Sequence, residues 1–211
     1  MTSQPTVVYF VRHGQTAANA GQVIQGHTDV PLDETGLKQA DIVAARLKNT
    51  DFDVIYSSDL SRALVTAEKI AGSRAIITTP ELREWHLGHW QGCTLDKIRT
   101  DFRDEYQTYL ADDPEFTVEG GESSRDFKER AINFMRKIAA NHPGETILCV
   151  SHGGFLTKVF KYVLQVETLP CRPRIFNTAL CCFSTVDCGK TWQLVTWNDA
   201  SHLQNGALDD V

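Results

Sequence analysis

The sequence predicts an α/β domain in which helices cover both faces of one sheet. Two apolar runs, residues 7–11 and 146–150, lack the alternation of a half-exposed strand and therefore favour buried strands. Amphipathic segments, with apolar residues three and four positions apart, separate such runs along the chain. The 211 residues are compatible with one domain of this class over residues 1–211.

Both apolar runs lead into a histidine that is followed by glycine, His13-Gly14 and His152-Gly153. The carboxyl ends of strands form the ligand crevice of an open α/β sheet, so we expect both imidazoles, with Arg12, at one edge. A single Arg-His-Gly is more often an ordinary, partly exposed turn. The repetition is what indicates a functional site, and Gly14 is expected to permit a sharp turn.

The elements between the two histidines follow from local patterns. Residues 17–32 are too polar and broken for an element and predict an active-site loop, whereas residues 33–47 carry the apolar stripe of a helix. Residues 53–58 and 75–79 read as short strands. Between them a helix over about 62–71 is expected, with Asp59 or Ser61 as its cap.

The second half continues the pattern. An aromatic-rich loop over residues 82–92 precedes a charged helix over 94–111, which we expect to cap the crevice. Ser123 and Asp126 form a capping-box pattern for a helix to about residue 141. A helix over 155–164 would present its backbone N–H groups to the crevice as an anion site. Residues 179–186 and 192–197 predict a hairpin, and the remaining tail is polar and expected to be peripheral.

The charge, the cysteine spacing and the lengths of the apolar runs argue against several classes of function. A net charge of −6 leaves no electrostatic footprint for nucleic acid or an anionic membrane. The six cysteines form no Cys-x-x-Cys pair, and no early apolar signal segment precedes the first strand. No apolar run approaches the roughly 20 residues that span a bilayer. We therefore expect a reduced, cytoplasmic protein without nucleic-acid or membrane partners.

Two further residues are candidates for chemistry. Arg62 lies in the first turn of its predicted helix, where a cation opposes the helix dipole unless an anion also binds there. The alternative is a surface arginine that pairs with Asp59. Glu84 precedes Trp85, and an aromatic neighbour that removes water raises the pKa of a carboxyl group towards that of a general acid. The alternative is a solvated glutamate in a tryptophan-anchored loop.

His86 and His89 have the spacing of a possible metal-ligand pair, but the sequence offers no clear third ligand. We therefore expect no metal site there.

Five segments, in this order, resemble the signature of the histidine phosphatase superfamily, also called the phosphoglycerate mutase-like family. They are Arg12-His13-Gly14-Gln15-Thr16, residues 57–67, residues 82–92, Gly120-Gly121-Glu122-Ser123 and Ser151-His152-Gly153. The resemblance spans roughly residues 6–155. Gln15 stands where many members carry glutamate, and Gln91 stands at a frequently acidic position. Residues 199–203 are also similar to the tail of small bacterial members named as phosphoglycerate mutases.

The resemblance implies a three-layer α/β/α sandwich with a mostly parallel sheet, and a phosphohistidine mechanism that needs no metal or other cofactor. It makes His13 the nucleophile and Glu84 the acid and base, while Arg12, Arg62 and His152 hold the phosphoryl group. It implies substrate binding by the following residues: Arg12, Asn19, Gln25, Gly26, Arg62, His152 and Gly153.

The favoured function is a phosphatase for small phosphorylated metabolites, because the chain lacks the long insertions by which the mutases shield phosphohistidine from water. The first alternative is a phosphoglycerate mutase, an isomerase with 2,3-bisphosphoglycerate as its primer. The second is a pseudoenzyme that only binds a phospholigand. A homodimer is compatible with the sequence. Further residues lie in segments that could line the pocket but could equally be structural: Trp85, Phe116, Arg125, Arg172 and Arg174.

Overall fold

The computed structural model describes residues 4–168 and 173–203, which build one mixed sheet with helices on both faces. The strands are β1 (Thr6–Arg12), β2 (Val54–Ser58), β3 (Ile77–Thr79), β4 (Thr146–Ser151), β5 (Leu180–Thr185) and β6 (Gln193–Asp199). Their order is β3-β2-β4-β1-β5-β6. The four strands from β3 to β1 are parallel, and β5 and β6 form the predicted antiparallel hairpin.

The helices form two outer layers. They are α1 (Ala17–Ala20), α2 (Glu34–Leu47), α3 (Ser61–Ala71), α4 (Leu95–Asp101), α5 (Arg103–Leu110), α6 (Ser124–Asn141) and α7 (Gly153–Leu164). Apolar residues of α2 and α3 pack on one face of the sheet, and those of α6 and α7 pack on the other. The predicted α/β/α sandwich with a mostly parallel sheet is therefore confirmed.

Strands β1 and β4 lie side by side at the centre of the sheet. Arg12 pairs with Ser151, so the histidine after each strand emerges at the same edge. The expectation drawn from the repeated His-Gly pattern is confirmed. Gly14 is needed because its backbone passes close to helix α2, and not because the chain makes an unusual turn there. A Cβ at Gly14 would lie 2.5 Å from the carbonyl oxygen of Gly36 in α2.

The predicted loop over residues 17–32 contains one short element, helix α1. The Thr16 hydroxyl accepts a hydrogen bond from the Asn19 backbone N–H, and the Asn19 side chain accepts one from the Thr16 N–H. This reciprocal cap stabilises a single helical turn in a segment whose composition is otherwise that of a loop. The prediction that no element forms here was wrong.

The single helix predicted over residues 94–111 is two helices, α4 and α5, that meet at Phe102. The backbone of Phe102 leaves the helical region at φ −122° and ψ 43°. This break places its ring 4.7 Å from that of His89. Packing of an aromatic side chain at the bend therefore overrides the continuous helical pattern of the sequence.

Two smaller differences concern ends of elements. Strand β3 covers only residues 77–79 of the predicted 75–79, because it pairs with β2 through three residues at the edge of the sheet. Helix α3 begins after Leu60. Neither Asp59 nor Ser61, the two predicted caps, makes the side-chain hydrogen bond that would cap its N-terminus. Within residues 4–168 and 173–203, every helix is too short or too polar to cross a bilayer.

Candidate active site

A cavity of about 620 Å³ opens at the carboxyl ends of the central strands. Four of the five predicted catalytic residues line it: Arg12, His13, Arg62 and Glu84. The fifth, His152, is fully buried beside them, with its ring centroid 5.1 Å from that of His13. Residues from β1, α3, the loop after β3 and the end of β4 thus meet at one place.

His13 is held as the tautomer that a nucleophile requires. Its Nδ1 lies 2.7 Å from the carbonyl oxygen of Gly14. A carbonyl can only accept, so Nδ1 carries the proton and the lone pair of the neutral ring is on Nε2. Burial, and then the charges of Arg62 and Arg12, hold the pKa of His13 well below its usual range. The ring is therefore neutral at neutral pH.

The ring of His152 lies beside that of His13. Its Nε2 lies 2.9 Å from the Ser58 hydroxyl, and its buried Nδ1 has no hydrogen-bond partner in the described structure. Burial and the charge of Arg62 also lower the pKa of His152 well below its usual value. The resemblance implies that this residue contacts phosphate, but His152 is not among the residues that line the cavity.

Arg12 and Arg62 make the cavity positive. Both are almost fully buried, and their guanidinium groups donate to backbone carbonyls: Arg12 to Ile175 O at 2.7 Å, and Arg62 to Gly26 O at 2.8 Å and Thr28 O at 2.9 Å. Burial lowers the pKa of each arginine to about 10. Both therefore keep their charge at neutral pH.

The alternative of a surface Arg62 paired with Asp59 was wrong. Asp59 accepts two hydrogen bonds from Arg83, from Nε at 2.7 Å and Nη2 at 2.6 Å. This pair holds the pKa of the Asp59 carboxyl below its usual range. Arg62 is instead buried and lines the cavity, and its buried Nε has no hydrogen-bond partner in the described structure.

Glu84 faces the cavity and is fixed by two backbone groups. Its Oε1 accepts from the N–H of Trp85 at 2.9 Å, and its Oε2 accepts from the N–H of Gly154 at 3.0 Å. Gly154 lies in the first turn of α7, so the predicted anion site at this helix end already binds a carboxylate. The Trp85 indole packs against Tyr109, Phe116 and Phe127.

The sequence did not identify the residues that hold the backbone of Glu84. The Glu84 carbonyl accepts from Arg130 Nη2 at 3.0 Å and from His27 Nε2 at 2.8 Å. Arg130 also donates to the carbonyls of Glu81 and Arg83, and it pairs with Glu122. The sequence did contain one indication of Arg130. It is three residues after Phe127 and four before Phe134, so it lies on the core-facing side of α6.

The other predicted substrate-binding residues also lie at the cavity. Asn19, Gln25, Gly26 and Gly153 line it. Gly26 has φ +52°, and a Cβ there would lie 2.1 Å from Gln91 Oε1. A glycine is therefore needed at this position, whose carbonyl holds Arg62.

The sequence left five residues as either pocket-lining or structural. Of these, Trp85 and Arg174 line the cavity. Phe116 is buried in the aromatic cluster behind it, and Arg125 pairs with Glu115 at the surface. Arg172 lies outside the described residues.

His86 and His89 have different neighbours, since the ring of His86 packs on His27 and that of His89 packs on Phe102. In the described ranges, no group of three or more His, Cys, Asp or Glu side chains is arranged to hold a metal ion.

The chain is similar to known proteins over most of its length. Residues 8–200 match the family model described as histidine phosphatase superfamily (branch 1). Phosphoglycerate mutase-like protein 4 of Arabidopsis thaliana is 35% identical, over 93% of this chain and 86% of that protein. The metal-independent phosphoserine phosphatase of the same plant is 32% identical, over 96% of this chain and 85% of that protein.

A solved structure has the same fold. The phosphoserine phosphatase of Entamoeba histolytica, in complex with 3-phosphoglyceric acid, superposes with a TM-score of 0.84. Its sequence is 30% identical, and the match covers 94% of this chain and 99% of that one.

Proposed function

The chain belongs to the histidine phosphatase superfamily, and we propose that it hydrolyses monoesters of small phosphorylated metabolites through a phosphohistidine at His13. Phosphatase activity is supported by the family and by the similar enzymes that act on phosphoserine. The observation that supports the phosphohistidine is the tautomer of His13. Its Nε2 lone pair belongs to a neutral ring that lines the same cavity as two guanidinium groups.

In the first step, the Nε2 lone pair of His13 forms a bond to phosphorus as the ester P–O bond breaks. A neutral imidazole avoids the repulsion that an anionic nucleophile meets from the phosphate dianion. Arg12 and Arg62 stabilise the charge on the phosphoryl oxygens. Glu84, in its protonated form, gives its proton to the leaving oxygen.

In the second step, the Glu84 carboxylate takes a proton from water, and the water oxygen attacks phosphorus. The P–N bond breaks and its electron pair returns to Nε2. General acid and base catalysis of this kind contributes about 10² to 10⁴ in rate. Exposed Gln22 and Arg174 at the cavity lining leave a route for water.

Trapping the intermediate tests the proposal. Enzyme incubated with ³²P-labelled p-nitrophenyl phosphate and quenched in base should carry acid-labile, base-stable phosphate, and EDTA should change neither labelling nor turnover. His13→Ala should abolish both, whereas Glu84→Gln should slow turnover and still bind inorganic phosphate. Full activity of His13→Ala would overturn the mechanism, and a wild-type protein that neither turns over nor labels would favour the pseudoenzyme.

The mutase alternative is supported by the relatives named for phosphoglycerate mutase. It is tested by supplying 3-phosphoglycerate with and without 2,3-bisphosphoglycerate. A phosphatase releases inorganic phosphate in both cases. Robust formation of 2-phosphoglycerate with negligible phosphate release would assign a mutase instead.

A further inference from the structure

We infer that the site prefers monoesters whose leaving group is apolar and carries no ammonium group. The inference rests on the proposed function and concerns the part of the cavity beyond the phosphate-binding residues. That part would determine which alcohol is released, whereas in the proposed reaction Arg12, His13 and Arg62 contact the phosphoryl group common to all substrates.

An apolar wall forms this part of the cavity. It consists of Val23, Ile24, Trp85, Leu87, Leu95 and Tyr109. A leaving group with apolar surface gains by removing that surface from water against such side chains. The cavity of about 620 Å³ is within the range of pockets that take ligands larger than a three-carbon acid.

The wall is held in place before substrate binds. Trp85 stacks on Phe127 with centroids 5.4 Å apart, and its ring is 5.7 Å from Tyr109. The loop that carries Ile24 is tied to the opposite segment, because Ile24 N–H donates to Cys93 O at 3.0 Å and Ile24 O accepts from Gly92 N–H at 2.8 Å. A preformed wall loses little conformational entropy on binding.

The charges of the cavity oppose an ammonium group. Arg12, Arg62 and Arg174 line it, and among the described lining residues Glu84 is the sole carboxylate. Both oxygens of Glu84 already accept backbone hydrogen bonds and face the scissile bond in the proposed reaction. An ammonium group would meet three arginines and, among the described lining residues, no carboxylate other than Glu84, which disfavours phosphoserine.

The amide oxygens nearby do not replace that carboxylate. Oδ1 of Asn19 accepts from the N–H of Thr16 at 3.1 Å and from its hydroxyl at 3.0 Å. That hydroxyl also lies 3.0 Å from Oε1 of Gln25. The Asn19 oxygen thus already holds the cap of helix α1, and neither amide oxygen carries the negative charge that an ammonium group would need.

A series of primary alkyl phosphates tests the inference, because their leaving groups have similar intrinsic reactivity. The series is 2-phenylethyl phosphate, glycerol 3-phosphate, 3-phosphoglycerate and phosphoserine. We expect kcat/KM for 2-phenylethyl phosphate to exceed that of each other ester by about tenfold or more, which corresponds to burying about 60 Å² of additional apolar surface. Phosphoserine should be the poorest substrate.

Val23→Thr tests the wall itself, since it replaces a methyl group by a hydroxyl of similar size. The ratio of kcat/KM for 2-phenylethyl phosphate to that for glycerol 3-phosphate should fall about fourfold. Val195→Thr is the matched control, because Val195 is 58% exposed on strand β6, and should leave the ratio unchanged.

The outcomes separate the two proposals. Equal kcat/KM values across the series, or a preference for phosphoserine or 3-phosphoglycerate, would overturn the inference and leave the phosphatase proposal intact. Hydrolysis of none of these esters, together with absence of phosphate labelling at His13, would overturn both. An unchanged ratio in Val23→Thr would overturn the assignment of the wall.

Discussion

The carboxylate of Glu84 is bound to the first turn of helix α7, where its Oε2 accepts a hydrogen bond from the Gly154 N–H at 3.0 Å. A helix N-terminus favours a negative charge. The helix that follows His152 therefore fixes the acid of the proposed reaction as well as contributing Gly153 to the cavity lining.

Gly154→Ala should displace Glu84 without removing it. A Cβ at this position would lie 2.3 Å from Glu84 Oε1, so the carboxylate must move. A shift of about 1 Å in a catalytic group can cost about 10²-fold in kcat. Steady-state kinetics should show a loss of this size, while the dissociation constant of inorganic phosphate, measured by calorimetry, changes far less.

The neighbouring glycine gives the comparison. A Cβ on Gly153 would have 3.5 Å to its closest neighbours, which is ordinary contact. Gly153→Ala should therefore lose much less activity than Gly154→Ala. Equal losses in the two variants would argue against displacement of Glu84 as the cause.

Arg62→Lys should impair binding of the phosphoryl group although it preserves the charge. Arg62 holds the carbonyls of Gly26 and Thr28 while lining the cavity, and an ammonium group lacks the planar fork that meets these acceptors together with an anion. We expect kcat/KM to fall by about 10² to 10³. Phosphate or vanadate inhibition should weaken in parallel.

Arg74→Lys, just beyond the other end of helix α3, is the control. The Arg74 side chain donates to the carbonyls of Ile70 and Ala71, and none of these three residues lines the cavity. Its kinetics should match those of the wild type. If Arg62→Lys also kept wild-type kcat/KM, the phosphate-binding role of Arg62 would be wrong.

Stability should fall as the pH is lowered below 6.5, because His13 and His152 are buried with lowered pKa values. The unfolded chain binds protons at these residues near pH 6.5 and the folded chain does not, so acid favours unfolding. Each histidine should reduce the free energy of unfolding by about 1 kcal/mol between about pH 7 and 5.5. Urea denaturation at the two pH values measures this difference.

The variants His13→Asn and His152→Asn should each remove their share of the pH dependence. Burial also lowers the pKa of His27 and of His202, so some dependence should remain in both variants. The Asp187 carboxyl, with its pKa lowered to about 2, contributes only at more acidic pH. A wild-type protein equally stable at both pH values would contradict the neutral, buried state of the two rings.

Arg130→Lys should slow turnover through Glu84 without a direct contact to substrate. The guanidinium group donates to the carbonyls of residues 81, 83 and 84 and pairs with Glu122, which an ammonium group cannot reproduce. As a positioning residue, Arg130 should affect kcat by about tenfold and KM little, and the variant should shift the pH profile of kcat. A loss of stability of about 1–3 kcal/mol should accompany it.

The exposed Arg125, paired with Glu115, provides the matched control on the same helix. Arg125→Lys should change neither kcat nor stability by more than about 0.5 kcal/mol in free energy. A kcat of Arg130→Lys equal to that of the wild type would show that the backbone of Glu84 does not need this support.

Patterns local in sequence predicted the fold well. The apolar runs before His13 and His152 identified the two central strands, and their repeated ending placed both histidines at one edge. The break at Phe102 and the single turn of α1 were missed, because each depends on one side chain whose packing or capping outweighs the average propensity of its segment.

The sequence predicted residues of the candidate site but not the contacts that position them. The contacts that fix it, from Gly154 to Glu84 and from Arg130 to the Glu84 carbonyl, join residues 70 and 46 positions apart. No local pattern encodes such pairs. Charged residues are rare on the core-facing side of a helix, so one at such a position, like Arg130, indicates a contact with a distant part of the chain.

The pairing of Arg12 with Ser151 gives the two imidazoles their spacing through the backbone ladder of the innermost strands. Each histidine directly follows its strand, and the His13 N–H donates to Ser151 O at 3.0 Å, so separating the two backbones requires breaking the central ladder of the sheet. The proposed phosphoryl-accepting site is thus tied to the same backbone ladder that holds the sheet together. On heating, the capacity to accept a phosphoryl group should disappear together with the cooperative melting of the chain rather than ahead of it.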